Sequence, residues 1–172
     1  EIDLSTFPLF ALFYPALGIT AVVPDMDPTR PAQADPQRII EAIENQGVTN
    51  MFASPALLER VGAYGRQQGI RLPSLKRVIS AGAPVQARTI ELFSGLLADG
   101  AQIHTPYGAT EAVPIASILG REILSETRPL TEKGFGICVG QSIGDTAIRI
   151  IAISDEPIRR WSEDLQVPQG DI

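Results

Sequence analysis

The residues best suited to chemistry lie together in the stretch TPYGATEAVPIA, Thr105 to Ala116. Within five positions, Tyr107 offers a flat ring, Gly108 a tight or positive-φ turn, Thr110 a hydroxyl donor and Glu111 a carboxylate able to bind a hard cation such as Mg²⁺. Ring, hydroxyl and carboxylate complement the base, phosphate and counter-ion of a nucleotide. A plainer reading stays open beside it: Thr110 as a helix N-cap, and Glu111 as a first-turn acid favoured by the helix dipole.

A second candidate is SAGAPV, residues 80–85. Gly82, between Ala81 and Ala83, lets a backbone approach a ligand closely, and Pro84 stiffens the exit into the next helix. Taken alone, this loop reads equally well as a plain strand-to-helix turn. His104, the only histidine, fits a satisfied structural role in a strand better than a catalytic one. Ser80 and Ser142 lack the Gly-x-Ser-x-Gly elbow of a serine hydrolase. Gly134, Gly136, Gly140 and Gly144 match no dinucleotide fingerprint and are expected to mark turns between short strands. Trp161 reads as a packing anchor under a surface excursion.

These loops need elements to hold them. Short β-branched runs alternate with amphipathic segments, which predicts an α/β fold: a layered, mostly parallel sheet flanked by helices. ITAVVP (19–24) reads as a buried strand, followed by an irregular loop carrying Pro28 and Pro31. Asp35 as N-cap and Pro36 at the first helical position open a helix with Ile39, Ile40 and Ile43 on one face, closed by Gly47. VTNMFA (48–53) is the next strand. Ser54 and Pro55 repeat the start signal for a helix carrying Leu57, Leu58, Val61 and Tyr64.

LKRVISAG (75–82) predicts a third strand, 86–98 a third helix with Ile90, Phe93, Leu96 and Leu97 at helical spacing, AQIHTPYG (101–108) a fourth strand and GDTAIRIIAI (144–153) a later one. Strands separated by helices should run parallel, through right-handed crossovers. Parallel sheets gather ligand sites at the carboxyl ends of their strands, which makes SAGAPV and TPYGATEA suspects together.

The bulk properties limit the partners. The 172 residues are 44% hydrophobic and 20% charged, enough for one sizeable core. Fourteen Lys and Arg against 20 Asp and Glu give a net charge of -6 with no basic run, so nucleic acid and anionic membrane surfaces are poor partners. The lone Cys138 forms no internal disulfide and fits a reducing, cytoplasmic setting. The apolar N-terminal stretch is broken by Pro8, Pro15 and Gly18, and is expected neither to span a bilayer nor to serve as a signal peptide. The chain reads as a fragment trimmed at both ends, with VPQGDI the run-up to another strand.

At TPYGATEA the sequence closely resembles the tyrosine-glycine-x-threonine-glutamate motif of the adenylate-forming superfamily, which includes acyl-CoA synthetases, fatty-acyl-AMP ligases, peptide-synthetase adenylation domains and luciferases. GVTNMFASPALLERV, LPSLKRVISAGAPV and GICVGQSIGDTAIRIIAI resemble further segments of that family in order and spacing, so the likeness covers nearly the whole chain. The resemblance implies that Tyr107, with Gly108 and Ala109 beside it, stacks on adenine while Gly82, Ala83 and Pro84 line the adenine and acyl side of the pocket. It further implies that Thr110 contacts the α-phosphate and that Glu111 holds Mg²⁺ on ATP.

The implied reaction is attack of a small-molecule carboxylic acid on the α-phosphate of ATP, giving an acyl-adenylate and pyrophosphate. Within the superfamily the chain looks most like the branch of olefin β-lactone synthetases, which activate long-chain β-hydroxy acids without consuming coenzyme A. Fatty-acyl-CoA or fatty-acyl-AMP ligation is the alternative, with coenzyme A then the acceptor; a non-catalytic scaffold is another. Several features depart from the family pattern. Ala11 stands where many members carry histidine, and Ala81-Gly82 replaces Gly-Gly. Residues 1–172 are expected to be the central part of the large N-terminal AMP-binding domain, without the phosphate loop and the C-terminal domain. The chain by itself is therefore expected to show negligible catalysis.

Overall fold

The computed structural model describes residues 1–167. Seven strands form one sheet in the order β2-β1-β3-β4-β5-β6-β7: β1 Ile2–Ser5, β2 Thr20–Val22, β3 Asn50–Ala53, β4 Arg77–Ser80, β5 Gln102–Ala109, β6 Ala112–Leu119 and β7 Gln141–Ser142. The first five run parallel, as the alternation of strands and helices requires. β6 and β7 are antiparallel additions.

The pairing register explains which face is buried. Leu4, Met51, Val78 and Ile103 stand opposite one another on neighbouring strands and are all buried. On this side the sheet packs with helices α2 (Pro36–Gln46), α3 (Pro55–Gln68) and α4 (Ala87–Ser94) through Ile39, Ile43, Leu57, Leu58, Val61, Ile90 and Phe93, each 0% exposed. Strand residues alternate between faces, so the intervening row is Asp3, Asn50, Arg77 and Gln102, and it is polar. Phe52, from the same polar face, receives the ring of Phe10 edge-on at 4.9 Å from the short helix α1 (Pro8–Phe13).

Asp3 is the unusual member of the polar row. It is 7% exposed and its Oδ1 has no partner among the described residues. Burial pushes its carboxyl up to about 6, while a hydrogen bond from Tyr14 works the other way. Burial likewise pushes the Tyr14 phenol up to about 12, with the Asp3 charge adding to it.

The helix signals are realised atom by atom. Asp35 accepts the Gln37 N–H at 3.0 Å and Ser54 accepts that of Leu57 at 3.4 Å, with Pro36 and Pro55 in the first turns. Helices α3 and α4 meet through glycine. A Cβ at Gly62 would lie 3.1 Å from the Phe93 backbone nitrogen, and one at Gly65 would lie 2.4 Å from a Leu96 methyl.

Several expectations are corrected. ITAVVP yields only the three-residue edge strand β2, whose residues are partly exposed rather than buried. Ile2–Ser5, hidden in an apolar run with two prolines beyond it, is a strand. The third helix ends at Ser94, where Gly95 follows, so Leu96 and Leu97 are buried just beyond it. The run 144–153 is not a strand. Only Ile151 forms a bridge, to Gln166, while Ile148 and Ile150 are exposed. Trp161 is half exposed, with the Arg149 guanidinium 5.5 Å from its ring centre, so it anchors no core. The supposed lead into another strand lies, from Pro168 onward, outside the described residues.

Candidate functional site

The carboxyl ends of β4 and β5 open onto a cavity of about 580 Å³. One side is Gly82, Ala83, Pro84 and Val85, the turn from β4 toward α4. A second is Thr105, Pro106, Tyr107 and Gly108, the outer half of β5. A third, Ile137, Cys138 and Val139, arrives from the segment before β7. The two loops singled out from the sequence thus share one pocket, at the edge where a parallel sheet places its ligands.

Local chemistry explains how each part is held. Gly82 has φ +91, a region that side chains disfavour, while a Cβ there would meet nothing within 4 Å. Its glycine is needed for conformation, not for room. Gly108 is the reverse case. Its φ is not positive, and a Cβ would lie 2.6 Å from the Ala112 carbonyl oxygen and 3.0 Å from the Val113 Cα. The cause is an irregular register, in which Tyr107 pairs with Ala116 while Ala109 already pairs with Ala112. β6 bulges between these pairs, pressing against Gly108. Thr105 is buried and donates its hydroxyl to the Ile118 carbonyl at 3.3 Å, tying the hairpin below the pocket.

The turn itself differs from expectation. Tyr107 to Ala109 continue β5, and Thr110 with Glu111 form the two-residue turn into β6. No helix follows, so neither residue is an N-cap or a first-turn acid. Tyr107 is 51% exposed, leaving a ring face available to a flat ligand. Ala109, Thr110 and Glu111 are exposed and lie outside the cavity lining, at the tip of the hairpin whose base contributes Tyr107.

The lining carries aliphatic, proline and tyrosine side chains, a hydroxyl and a thiol, with no charged group. This fits a purine ring or an apolar chain and offers nothing cationic to phosphates. Glu111 is a single carboxylate. Among the described residues no group of three or more His, Cys, Asp or Glu side chains is placed to hold a metal. One carboxylate suits Mg²⁺, which keeps waters and takes substrate phosphates as its other ligands.

His104 lies outside the lining, half-buried on β5, with its pKa lowered first by burial and then by Arg77. Ser80 is buried with its hydroxyl unpartnered and Ser142 is exposed on β7; neither lines the pocket. Gly134, Gly136, Gly140 and Gly144 all have positive φ, in keeping with turns. Val85 and Pro106 lie inside the two quoted loops without a role of their own, and Ile137–Val139, inside GICVGQSIGDTAIRIIAI, was given no place in the site. The signal available was Gly136 and Gly140 framing three apolar residues.

A family model described as AMP-binding enzyme matches residues 6–163. The chain belongs to the AMP-binding enzyme family. Two relatives extend over almost all of it. An olefin beta-lactone synthetase of Stenotrophomonas maltophilia is 51% identical and one of Xanthomonas campestris 48% identical, both over 99% of this chain. The chain spans 30% of the length of each. A feruloyl-CoA synthase of Amycolatopsis is 34% identical over 54% of the chain and 18% of its own length.

Among solved structures, the amide bond synthetase McbA from Marinactinospora thermotolerans superposes with a TM-score of 0.68 at 20% identity, over 99% of this chain and 31% of its own. The N-terminal domain of FACL13 from Mycobacterium tuberculosis gives 0.54 at 18% identity, over 72% of this chain and 31% of its own. These likenesses establish the fold of the AMP-binding family for this chain. Among the described residues, no helix is long and apolar enough to cross a membrane.

Proposed function

We propose that the protein carrying this chain is an ATP-dependent acyl-activating ligase acting on a long-chain, β-hydroxy carboxylic acid. Residues 1–172 would be the central part of its large N-terminal domain. The observation that carries this reading is the single cavity formed by the 82–85 turn and the 105–108 strand end, in a chain 51% identical to an olefin beta-lactone synthetase.

In this reading Tyr107 stacks on the adenine, with Gly108 letting β6 press close behind it. Gly82, Ala83 and Pro84 line the adenine and acyl side of the site. Ala109 carries the strand to the turn, where Thr110 donates its hydroxyl to the α-phosphate and Glu111 holds Mg²⁺. The bound metal would neutralise charge on the phosphates. The acid's carboxylate attacks the α-phosphorus, the bond to the β,γ-pyrophosphate breaks, and acyl-adenylate and pyrophosphate result. The β-hydroxyl then attacks the acyl carbon, closing a β-lactone and expelling AMP. The uncharged lining sets no carboxylate or amine beside the mixed anhydride, and the remaining phosphate contacts would come from outside these residues.

The feruloyl-CoA synthase relative favours one second reading, in which coenzyme A is the acceptor. Pyrophosphate release from the intact protein, with fatty acids and β-hydroxy acids in the presence and absence of coenzyme A, separates the two. Glu111→Ala is expected to abolish Mg²⁺-dependent release while leaving the circular dichroism spectrum unchanged. Undiminished release would remove Glu111 from the metal site.

A further inference from the structure

The third contributor to the pocket is built unlike the other two. Ile137, Cys138 and Val139 form a strap between Gly136 (φ +81) and Gly140 (φ +85). Its upstream end is held where the Thr131 hydroxyl donates to the Gly136 carbonyl at 2.7 Å. Its downstream end lies directly on β6, since a Cβ at Gly140 would sit 2.1 Å from the Ser117 carbonyl oxygen. Beyond that point Gln141 and Ser142 pair with β6, and the Ile143 N–H donates to the Ile115 carbonyl at 3.0 Å. Between the anchors, residues 137 to 139 make no hydrogen bond to the described residues.

The strap is also a partition. Cys138 borders the apolar pocket and, with Gly140, a second cavity of about 390 Å³ whose lining includes Glu122, Glu126, Thr127 and Gln141. An apolar chain is favoured on one side of this wall and disfavoured among the carboxylates on the other. The strap presents branched aliphatic groups rather than a flat ring, which suits methylenes better than a purine. It carries no charged side chain for phosphate.

We propose that the Ile137–Val139 strap is the wall against which the acyl chain of the carboxylic acid lies, and that it sets which chains fit. This rests on the acyl-activating function proposed above. The test uses the intact protein, with mass spectrometry locating the alkylated thiol. Alkylation of Cys138 by N-ethylmaleimide is timed alone, with AMP, and with a long-chain N-acylsulfamoyl adenosine, and binding of both ligands is followed by calorimetry.

The expected result is that the acylated analogue slows alkylation several-fold beyond AMP. Equal slowing by AMP would assign the strap to the nucleotide and overturn the proposal. So would unslowed alkylation with the analogue demonstrably bound. An analogue that does not bind at all would sink the acyl-activating reading itself. In kinetics, Val139→Trp is expected to raise KM for the acid by about tenfold or more while leaving KM for ATP unchanged. Equal rises in both would again place the strap elsewhere.

Discussion

Replacing Asp3 by asparagine should stabilise the chain at neutral pH and do so much less in acid. The carboxyl is 7% exposed, and its pKa stands at about 6 against an ordinary 3.8. Each pKa unit is about 1.4 kcal/mol, so burying the charged form costs about 3 kcal/mol above pH 6. Because the folded state holds its proton more tightly than the unfolded one, the folded chain binds more protons between these two values. Stability from this group is therefore complete below pH 3.8 and falls as pH rises through about 6.

Asparagine keeps an acceptor for the Tyr14 hydroxyl and never ionises. The stability difference between Asp3→Asn and the parent should thus grow by about 2.5 kcal/mol between pH 4 and pH 8. Urea unfolding followed by circular dichroism at both pH values measures it. His104 works in the opposite sense: its lowered pKa removes stability as pH falls below the usual 6.5, but it is present in both proteins and cancels. A difference that is the same at both pH values would refute the argument.

Four further outcomes follow from the local geometry. Gly82→Ala should cost about 1–2 kcal/mol from its φ alone, with no steric effect, as read by thermal unfolding. Gly108→Ala should cost about 1–3 kcal/mol by pushing β5 and β6 apart, and should speed amide exchange in that hairpin but not in β3 or β4. Asp35→Ala should lose about 1 kcal/mol of cap energy, whereas Gln86→Asp should gain up to that amount, since α4 has no side-chain cap; paired urea titrations check both.

The parallel half of the fold was legible because its signals are local. Asp35-Pro36 and Ser54-Pro55 fix helix starts within the chain, and the apolar residues of β3 and β4 need only the helices beside them. The misses share a physical cause, which is that a strand is defined by its partner. Residues 112–119 pair with β5 through a turn that the motif seemed to assign to a helix start, and Pro114 disguised the run. Residues 144–153 have the composition of a strand, but among the described residues they meet a partner only in the short bridge of Ile150–Ala152 with Leu165–Val167. In the site, Tyr107 and the 82–84 turn were visible as types at a spacing. The strap was not, because Ile137 and Val139 owe their place to glycine φ angles and a backbone contact on β6.

The crossing of α3 and α4 has a mechanical consequence. At most helix contacts, rotamers absorb small displacements. At Gly62 only a hydrogen separates helix α3 from the backbone of Leu92 and Phe93. At this one level the two helices therefore have no compliant layer between them, whereas further along a cavity of about 350 Å³ opens between Gly65, Arg66 and Gly69 of one and Glu91 and Leu92 of the other. Glu59 faces Arg88, Gly62 faces Phe93 and Gly65 faces Leu96, so the helices run parallel and the Ala83–Val85 wall of the pocket enters α4 at the same end where the Ser54 turn enters α3. A displacement of α3 at Gly62 therefore presses directly on the α4 backbone, with no rotamer there to absorb it.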